Sequence, residues 1–575
     1  MSKSILGLVI LITIFLSSCT TPQGYLRQAD EVAYGIIADK QLESGESTSL
    51  ELYRLPAAGA AGSAQEQLRQ QLLLDQQLPT LSVASNSETP ADSPKEYSLS
   101  LIDALQVAAH NSRDYQQNKE TLFRQALELD LQRDMFTSSF TGLLSSMWST
   151  SKDGGTRTGG LTHNAQGGWQ RTFTTGVAFA TSIGFDLVQL LTANRVSARG
   201  IVADASISVP LLRGAGQQIV TEDLQQAERN VLYAMWDFER YRRTFAVQVA
   251  SQYLLVLEQM NRVTTAYDNY QRLMESRQRA ERLADAGRLP QIQVGQALQD
   301  ELRARSSWVS AQQSSADSLD SFKLVLGLSP DAVVRLDRQI LNQNVVPKIE
   351  PEQQQVNAVP TQLLPIALAN RRDLRIAQGR VQDSERALFI AEDNLRADVT
   401  LLGSGSAGSA RTLASATSDD GHLDLDHGQY AALLKIDLPF ERTAERNAWR
   451  NSWFDWNQSK RDLAELEDLT KYQVLSAWRD WREALELIKI QTQALEVAQR
   501  RVASTNLFLQ AGRIQMRDLL EAQDALVSAR NALVAAQVQY RISAMELQRD
   551  LGTLDIDPAG KWLKDVIKYA SLAQK

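Results

Sequence analysis

The chain has one cysteine and four histidines in 575 residues. A single thiol excludes an internal disulfide and a paired-cysteine zinc or redox site, and four imidazoles leave few candidates for a general base. No GxSxG, HExxH or phosphate-cradling glycine loop occurs, so the chain is read as a non-enzyme without cofactors, whose driving energy comes from a partner. Proline is missing between Leu211 and Leu289 and again between Phe440 and Asp557, which removes the strongest helix breaker from two long stretches. Beyond residue 18 no run approaches the roughly 20 apolar residues of a membrane-spanning helix, so any crossing of a membrane must use strands. A net charge of -8 argues against a nucleic-acid partner.

What is present begins with Lys3, an apolar run from Ile5 to Leu16, and Leu16-Ser17-Ser18-Cys19. Its layout is that of a secretory signal. The run also resembles the bacterial lipobox, which implies removal of residues 1–18, lipidation of Cys19 and, because Thr20 follows, anchoring to the outer membrane. Residues 19–97, rich in Gln, Ser, Ala and Pro, read as an extended arm with a short helix near Gln65 to Gln77.

The rest reads as two halves, residues 98–340 and 360–555, joined by a linker over 341–359 and followed by a tail over 556–575. Landmarks recur in order: Pro210, Gly287 and Gly327, then Pro439, Gly512 and Gly552. Their separation is right for a duplicated half-protein and too large for a solenoid repeat. Each half opens on a matching signature, Ala109-His110-Asn111-Ser112-Arg113-Asp114 and Leu368-Ala369-Asn370-Arg371-Arg372-Asp373. Helical periodicity follows over roughly 115–133 and 374–396.

Then the period changes to two. From Thr172 to Phe185 the odd positions include Phe173, Val177, Phe179, Ile183 and Phe185, and the even ones are small. The same alternation marks Phe136 to Trp148, Ile201 to Val209 and Tyr430 to Leu438. Such strands suit a barrel with lipid outside and water inside. Four main strands, two from each half, cannot close a barrel alone, so copies must share one; residues 167–186 add room for an extra hairpin.

Each strand region leads into a helix of unusual length. Continuous helix over 218–286 would extend roughly 100 Å. The helices turn at Gly287-Arg288 and Gly512-Arg513 and return over 291–326 and 516–551, the pattern of antiparallel hairpins. Trp449, Trp453 and Trp456 fall at helical spacing and are assigned to packing between helices. The run Asp419-Asp420-Gly421-His422-Leu423-Asp424-Leu425-Asp426-His427 reads as a solvated loop rather than a metal site.

The junction Ser208-Val209-Pro210-Leu211-Leu212-Arg213-Gly214-Ala215-Gly216, its counterpart Ile436-Asp437-Leu438-Pro439-Phe440, and the turn leading into Asp518-Leu519-Leu520-Glu521-Ala522-Gln523 together resemble the TolC-type outer-membrane efflux family, over roughly residues 98–555. The resemblance implies a mainly α fold with a membrane β-barrel: a homotrimer sharing a twelve-stranded barrel, with long helical hairpins forming a periplasmic tunnel. It also implies an adaptor protein at the tunnel tip and an inner-membrane transporter behind it, and hence a channel subunit of a tripartite efflux system. Pro210, Gly214, Gly216 and Pro439 then mark strand-to-helix junctions, and Gly287, Arg288, Gly512 and Arg513 the adaptor-docking tips. Asp518 and Glu521 match acids that ring the closed tip, and Gln293 stands where the first half would carry an aspartate. Two other readings stay open: the channel of a type I protein secretion system, and a periplasmic helical scaffold lipoprotein without a pore.

Overall fold

The computed structural model describes residues 22–44, 53, 98–153, 156–192, 197–338, 360–413, 415–416, 420–438, 440–511, 513–554 and 556. Cys19, Pro439, Gly512 and the helix expected near 65–77 lie outside them. The described elements, in chain order, are α1 (Pro22–Ser44), β1 (Ser98–Leu99), α2 (Leu101–Asn111), α3 (Arg113–Asp134), β2 (Ser139–Asp153), β3 (Thr156–Thr172), β4 (Ala178–Leu190) and β5 (Ser197–Pro210). They continue with α4 (Gln217–Val220), α5 (Glu222–Asp285), α6 (Gln291–Val325), β6 (Arg335–Leu336), α7 (Pro360–Asn370), α8 (Arg372–Asp393), β7 (Asp398–Ser409), β8 (Gln429–Asp437), α9 (Thr443–Gln510) and α10 (Met516–Leu551). Two compact units result, one from 1–44, 123–234 and 376–463, the other from 45–122, 235–375 and 464–575.

The first unit is built on a six-stranded sheet in the order β2-β3-β4-β5-β7-β8, every neighbour antiparallel. The first half of the chain therefore supplies four strands, not two. The stretch 172–185 is not one strand: the chain reverses between β3 and β4, where the Gly176 N–H donates to Phe173 O (2.8 Å) and the Phe173 N–H to Val177 O (2.8 Å). Gly176 has φ +91°, and a Cβ there would press on Pro210 and Val220 at 3.0 Å, so glycine is required on both counts.

In the same unit, α5 and α8 are fastened by a charged seam. Arg386 Nε reaches both oxygens of Glu222 (3.0 and 2.9 Å), Arg229 pairs with Asp383 (2.7 Å), and the Tyr233 hydroxyl donates to Asp383 Oδ2 (2.8 Å). Gly379 lies directly under the Tyr233 ring. Residues 22–44, expected to be extended, form α1: Ala33, Ile36 and Ile37 are buried, and Tyr34 meets Phe123 edge-on at 5.5 Å. Burial of that apolar face, rather than helix propensity, stabilises α1.

The second unit is helical, with β1 and β6 paired parallel. The hydroxyl of buried Tyr253 lies 3.0 Å from the carbonyls of Leu99 and Asp337, which pins that small sheet to α5. Around it Tyr53, Tyr115, Phe238 and Phe245 form an aromatic core. Ser100 starts α2 with a capping box to Asp103. The helical stretch 101–134 breaks at Ser112 between α2 and α3, and its counterpart breaks at Arg371 between α7 and α8.

A glycine packs against each break. Gly327 (φ +73°) ends the turn after α6, and a Cβ there would lie 2.2 Å from Asn111 O. Gly552 (φ +69°) follows α10 and would meet Asn370 at 3.1 Å. The Asn of each signature is thus the seat of the closing glycine of its own half.

Candidate functional site

In the first unit the two faces of the sheet differ in chemistry. Register places Thr141, Gly168, Ser182, Asp204, Ser406 and Gln429 opposite one another across all six strands. Alternate positions on that face continue it with Gln166, Asn164, Ala180, Asp186, Ser206 and Ser404, so its middle is small and polar, with Leu143 and Met147 on β2, Leu402 on β7 and Leu433 on β8. The opposite face carries Phe140, Leu144, Trp148, Trp169, Phe179, Ile183, Phe185, Ile207, Val209, Leu401, Leu434 and Ile436. Many of these are exposed, Phe140 at 79 % and Trp148 at 63 %. A broad apolar sheet face bare to water is costly, roughly 25 cal/mol per Å², whereas against lipid it is at home. Among the described residues, both outer strands, β2 and β8, have one unpaired edge.

The strand-to-helix junction is held from below. After Pro210 the Leu211 N–H donates to Val399 O (2.7 Å), and the Gly214 N–H donates to Asp393 Oδ2 (2.8 Å). Gly214 (φ +74°) and Gly216 (φ +108°) have open space around them, so their role is backbone conformation alone. Arg442 donates to the carbonyls of Asn394 (3.2 Å) and Arg396 (2.9 Å), in the turn that follows α8. Of the tryptophans of α9, Trp481 packs against Ala484, Ile488 and Tyr540, while those near its start are less covered. Trp453 and Trp456 are only half-buried, covered by Arg450 and Lys460 of their own helix, and Phe454 and Phe440 are exposed.

In the second unit the two helix turns share one closing hydrogen bond. At Gly287 (φ +69°) the Arg288 N–H donates to Leu283 O and the Gly287 N–H to Ala284 O, both 2.9 Å, a Schellman closure. The Arg513 N–H makes the matching bond to Phe508 O (3.0 Å). Leu273, Ala297, Leu509, Met516, Leu519 and Leu520 pack beneath, with Leu289 and Ile514 from the turns themselves.

The three polar residues singled out near these turns have separate surroundings. Asp518 sits at the third position of α10, where its Oδ2 accepts the Gln515 N–H at 3.1 Å. Glu521 pairs with Arg501 of α9 at 2.8 Å, both ends exposed. Gln293 opens α6 after Pro290, and its Oε1 is buried without a hydrogen-bond partner. Proline has no N–H to offer an acid three residues on, which accounts for Gln293 standing where the other half has Asp518. Sequence reasoning missed another acid, Asp524. Partial burial and then the neighbouring Asp300 carboxylate push its carboxyl above the usual range. No spacing rule pairs residues so far apart in the chain.

Residues 363–553 match the family model described as outer membrane efflux protein. No curated protein sequence matches the chain. Among solved structures, it is similar to the outer-membrane channel OprN (16% identity, 80% of this chain and 90% of that one, TM-score 0.56). It is likewise similar to the outer membrane protein VceC of Vibrio cholerae (14%, 79% and 96%, TM-score 0.55). A further match is the open state of the MtrE outer membrane channel of Neisseria gonorrhoeae (13%, 79% and 88%, TM-score 0.55).

Proposed function

We propose that the chain, whose residues 363–553 match the outer membrane efflux protein family model, is one subunit of a homotrimeric outer-membrane channel. In this reading it is a passive exit duct joined by a periplasmic adaptor to an inner-membrane pump. The observation that carries this is the six-stranded sheet, apolar on one face, polar on the other and unpaired at β2 and β8. In lipid each unpaired backbone group costs several kcal/mol, so β8 of one copy pairs with β2 of the next until the wall closes. Six strands per copy, where sequence alone gave four, enlarge the barrel circumference by about half at equal copy number. Exposed apolar residues at helical spacing on α6 (Leu298, Leu302, Val309) and α9 (Ile490, Val497) support contacts between copies along the helices as well.

Cys19 supplies the lipid anchor in this proposal, and the turns bearing Gly287, Arg288, Gly512 and Arg513 meet the adaptor. Glu521, with Asp518 beside it, lines the constriction near those turns, where three copies of each carboxylate favour cations. The test is reconstitution of the purified chain into planar bilayers, with the mass of the detergent-solubilised particle measured in parallel. A trimer with steady single-channel conductance is expected. A monomer that conducts nothing would leave the scaffold reading standing in its place.

A further inference from the structure

We propose that the segment after β7 folds inward over the polar face of the sheet and narrows the duct at the end away from the strand-to-helix junctions. Arg411 and Leu413 are the residues that do so. The inference rests on the channel reading, since a constriction needs a lumen.

The path of the chain is the first argument. Leaving β7 at Ser409, it does not continue along the wall. The Arg411 N–H donates to Asp186 Oδ2 on β4 (3.3 Å), and Asn164 on β3 donates to the other oxygen of the same carboxylate (2.6 Å). To reach β4 the chain crosses β5 at Gly200, where a Cβ would lie 2.8 Å from Arg411 N. Leu413 goes further and lies over Gly160 of β3, where a Cβ would meet its Cδ2 at 2.5 Å. On its return the chain is tied to β5: the Gly421 N–H donates to Arg199 O (2.6 Å), and the Arg199 N–H donates to Asp420 Oδ1 (3.0 Å).

The register settles which face is covered. Gly160, Asp186 and Gly200 stand on the polar face with Ser182 and Asp204. The same face near the other end of the strands is open, with Thr141 and Leu143 exposed. At the covered end Val188 and Ala198 are completely buried. A valine on a water-filled surface has no reason to be dry unless something lies on it. Glycine at 160 and 200 leaves the depth for the crossing chain, and Asp186 anchors Arg411 on the way out.

The experiment uses the full chain in planar bilayers with two variants. In Leu413→Cys, a bulky charged thiol reagent should cut single-channel conductance by about half or more, because the modified side chain stands in the conducting path. The same reagent on Ile436→Cys, which is on the outer face, should leave conductance unchanged. Replacing 411–424 with two glycines should raise conductance by about twofold. If the full chain conducts but neither the modification nor the replacement alters conductance, the segment lies outside the path and the inference is overturned alone. If the full chain itself does not conduct, the channel reading falls first.

Discussion

The two halves of the chain share one helical plan and differ in how much sheet they carry. Each has two short helices broken at an Asn, one long helix of 64 or 68 residues, a turn, and a return helix of 35 or 36. Between those parts the first half carries β2, β3, β4 and β5, the second only β7 and β8. In the proposed channel, helices that register against copies of themselves tolerate little change in length. A sheet closed edge to edge accepts a whole hairpin, because adding two antiparallel strands preserves both the outward apolar face and the direction of the last strand.

The largest expected effect comes from removing that difference. Deleting β3 and β4 and joining β2 to β5 by a two-residue turn leaves each copy with two strands per half. Barrel cross-section scales with the square of strand number, so conductance should fall to roughly half. Equal conductance before and after deletion, in channels of the same copy number, would show that the hairpin is not part of the wall.

A smaller effect contrasts the closing glycines. Alanine at either Gly327 or Gly552 forces a residue with a Cβ into the left-handed region, at about 1–2 kcal/mol. At Gly552 the nearest obstacle is 3.1 Å away, at Gly327 it is a carbonyl oxygen at 2.2 Å. Gly327→Ala should therefore lower the melting temperature clearly more than Gly552→Ala. Equal shifts would mean that Asn111 moves aside at no cost.

How much of this was legible depends on what each strand has to face. β2, β4, β5 and β8 could be read because large apolar residues alternate with small ones: Phe140 and Leu144, Ile183 and Phe185, Ile207 and Val209, Leu434 and Ile436. β7 was missed, and of β3 only the end was caught, in the extra hairpin allowed over 167–186. β3 has glycine at 159, 160, 167 and 168, β7 at 403, 405 and 408, so neither shows a bulky stripe. Their place depends on partners: Gly403 admits Ile207, and Gly160 admits Leu413. The helices and their turns were readable to within a few residues because proline absence and the Gly-Arg turns are local signals. Helix α1 was not, since Gln, Ala and Ser in 22–44 gave it no clear stripe, and its burial depends on Phe123 from far along the chain. At the site, Asp518 and Glu521 were singled out by motif, whereas the pairing of Glu521 with Arg501 emerges only in three dimensions.

The smallest effect concerns the starts of the two return helices. In α10 the Asp518 carboxylate accepts the Gln515 N–H, so it satisfies an open donor and opposes the positive end of the helix. Asp518→Ala should cost about 1 kcal/mol, the usual size of a lost cap. In α6 the equivalent first position is Pro290, which has no N–H, and Gln293 has a buried, unpartnered Oε1. Gln293→Ala should then be close to neutral. Gln293→Asp should gain only the dipole contribution, about 0.3–1 kcal/mol, because no backbone donor waits for it. Thermal melts of the three variants check the ordering, and a Gln293→Ala penalty as large as that of Asp518→Ala would sink it. The capping role also separates stability from selectivity at the tip. Asp518→Asn keeps an acceptor oxygen for Gln515 while removing the charge. A loss of cation preference in that variant without a loss of melting temperature would assign the Asp518 charge to the lumen and its geometry to the helix.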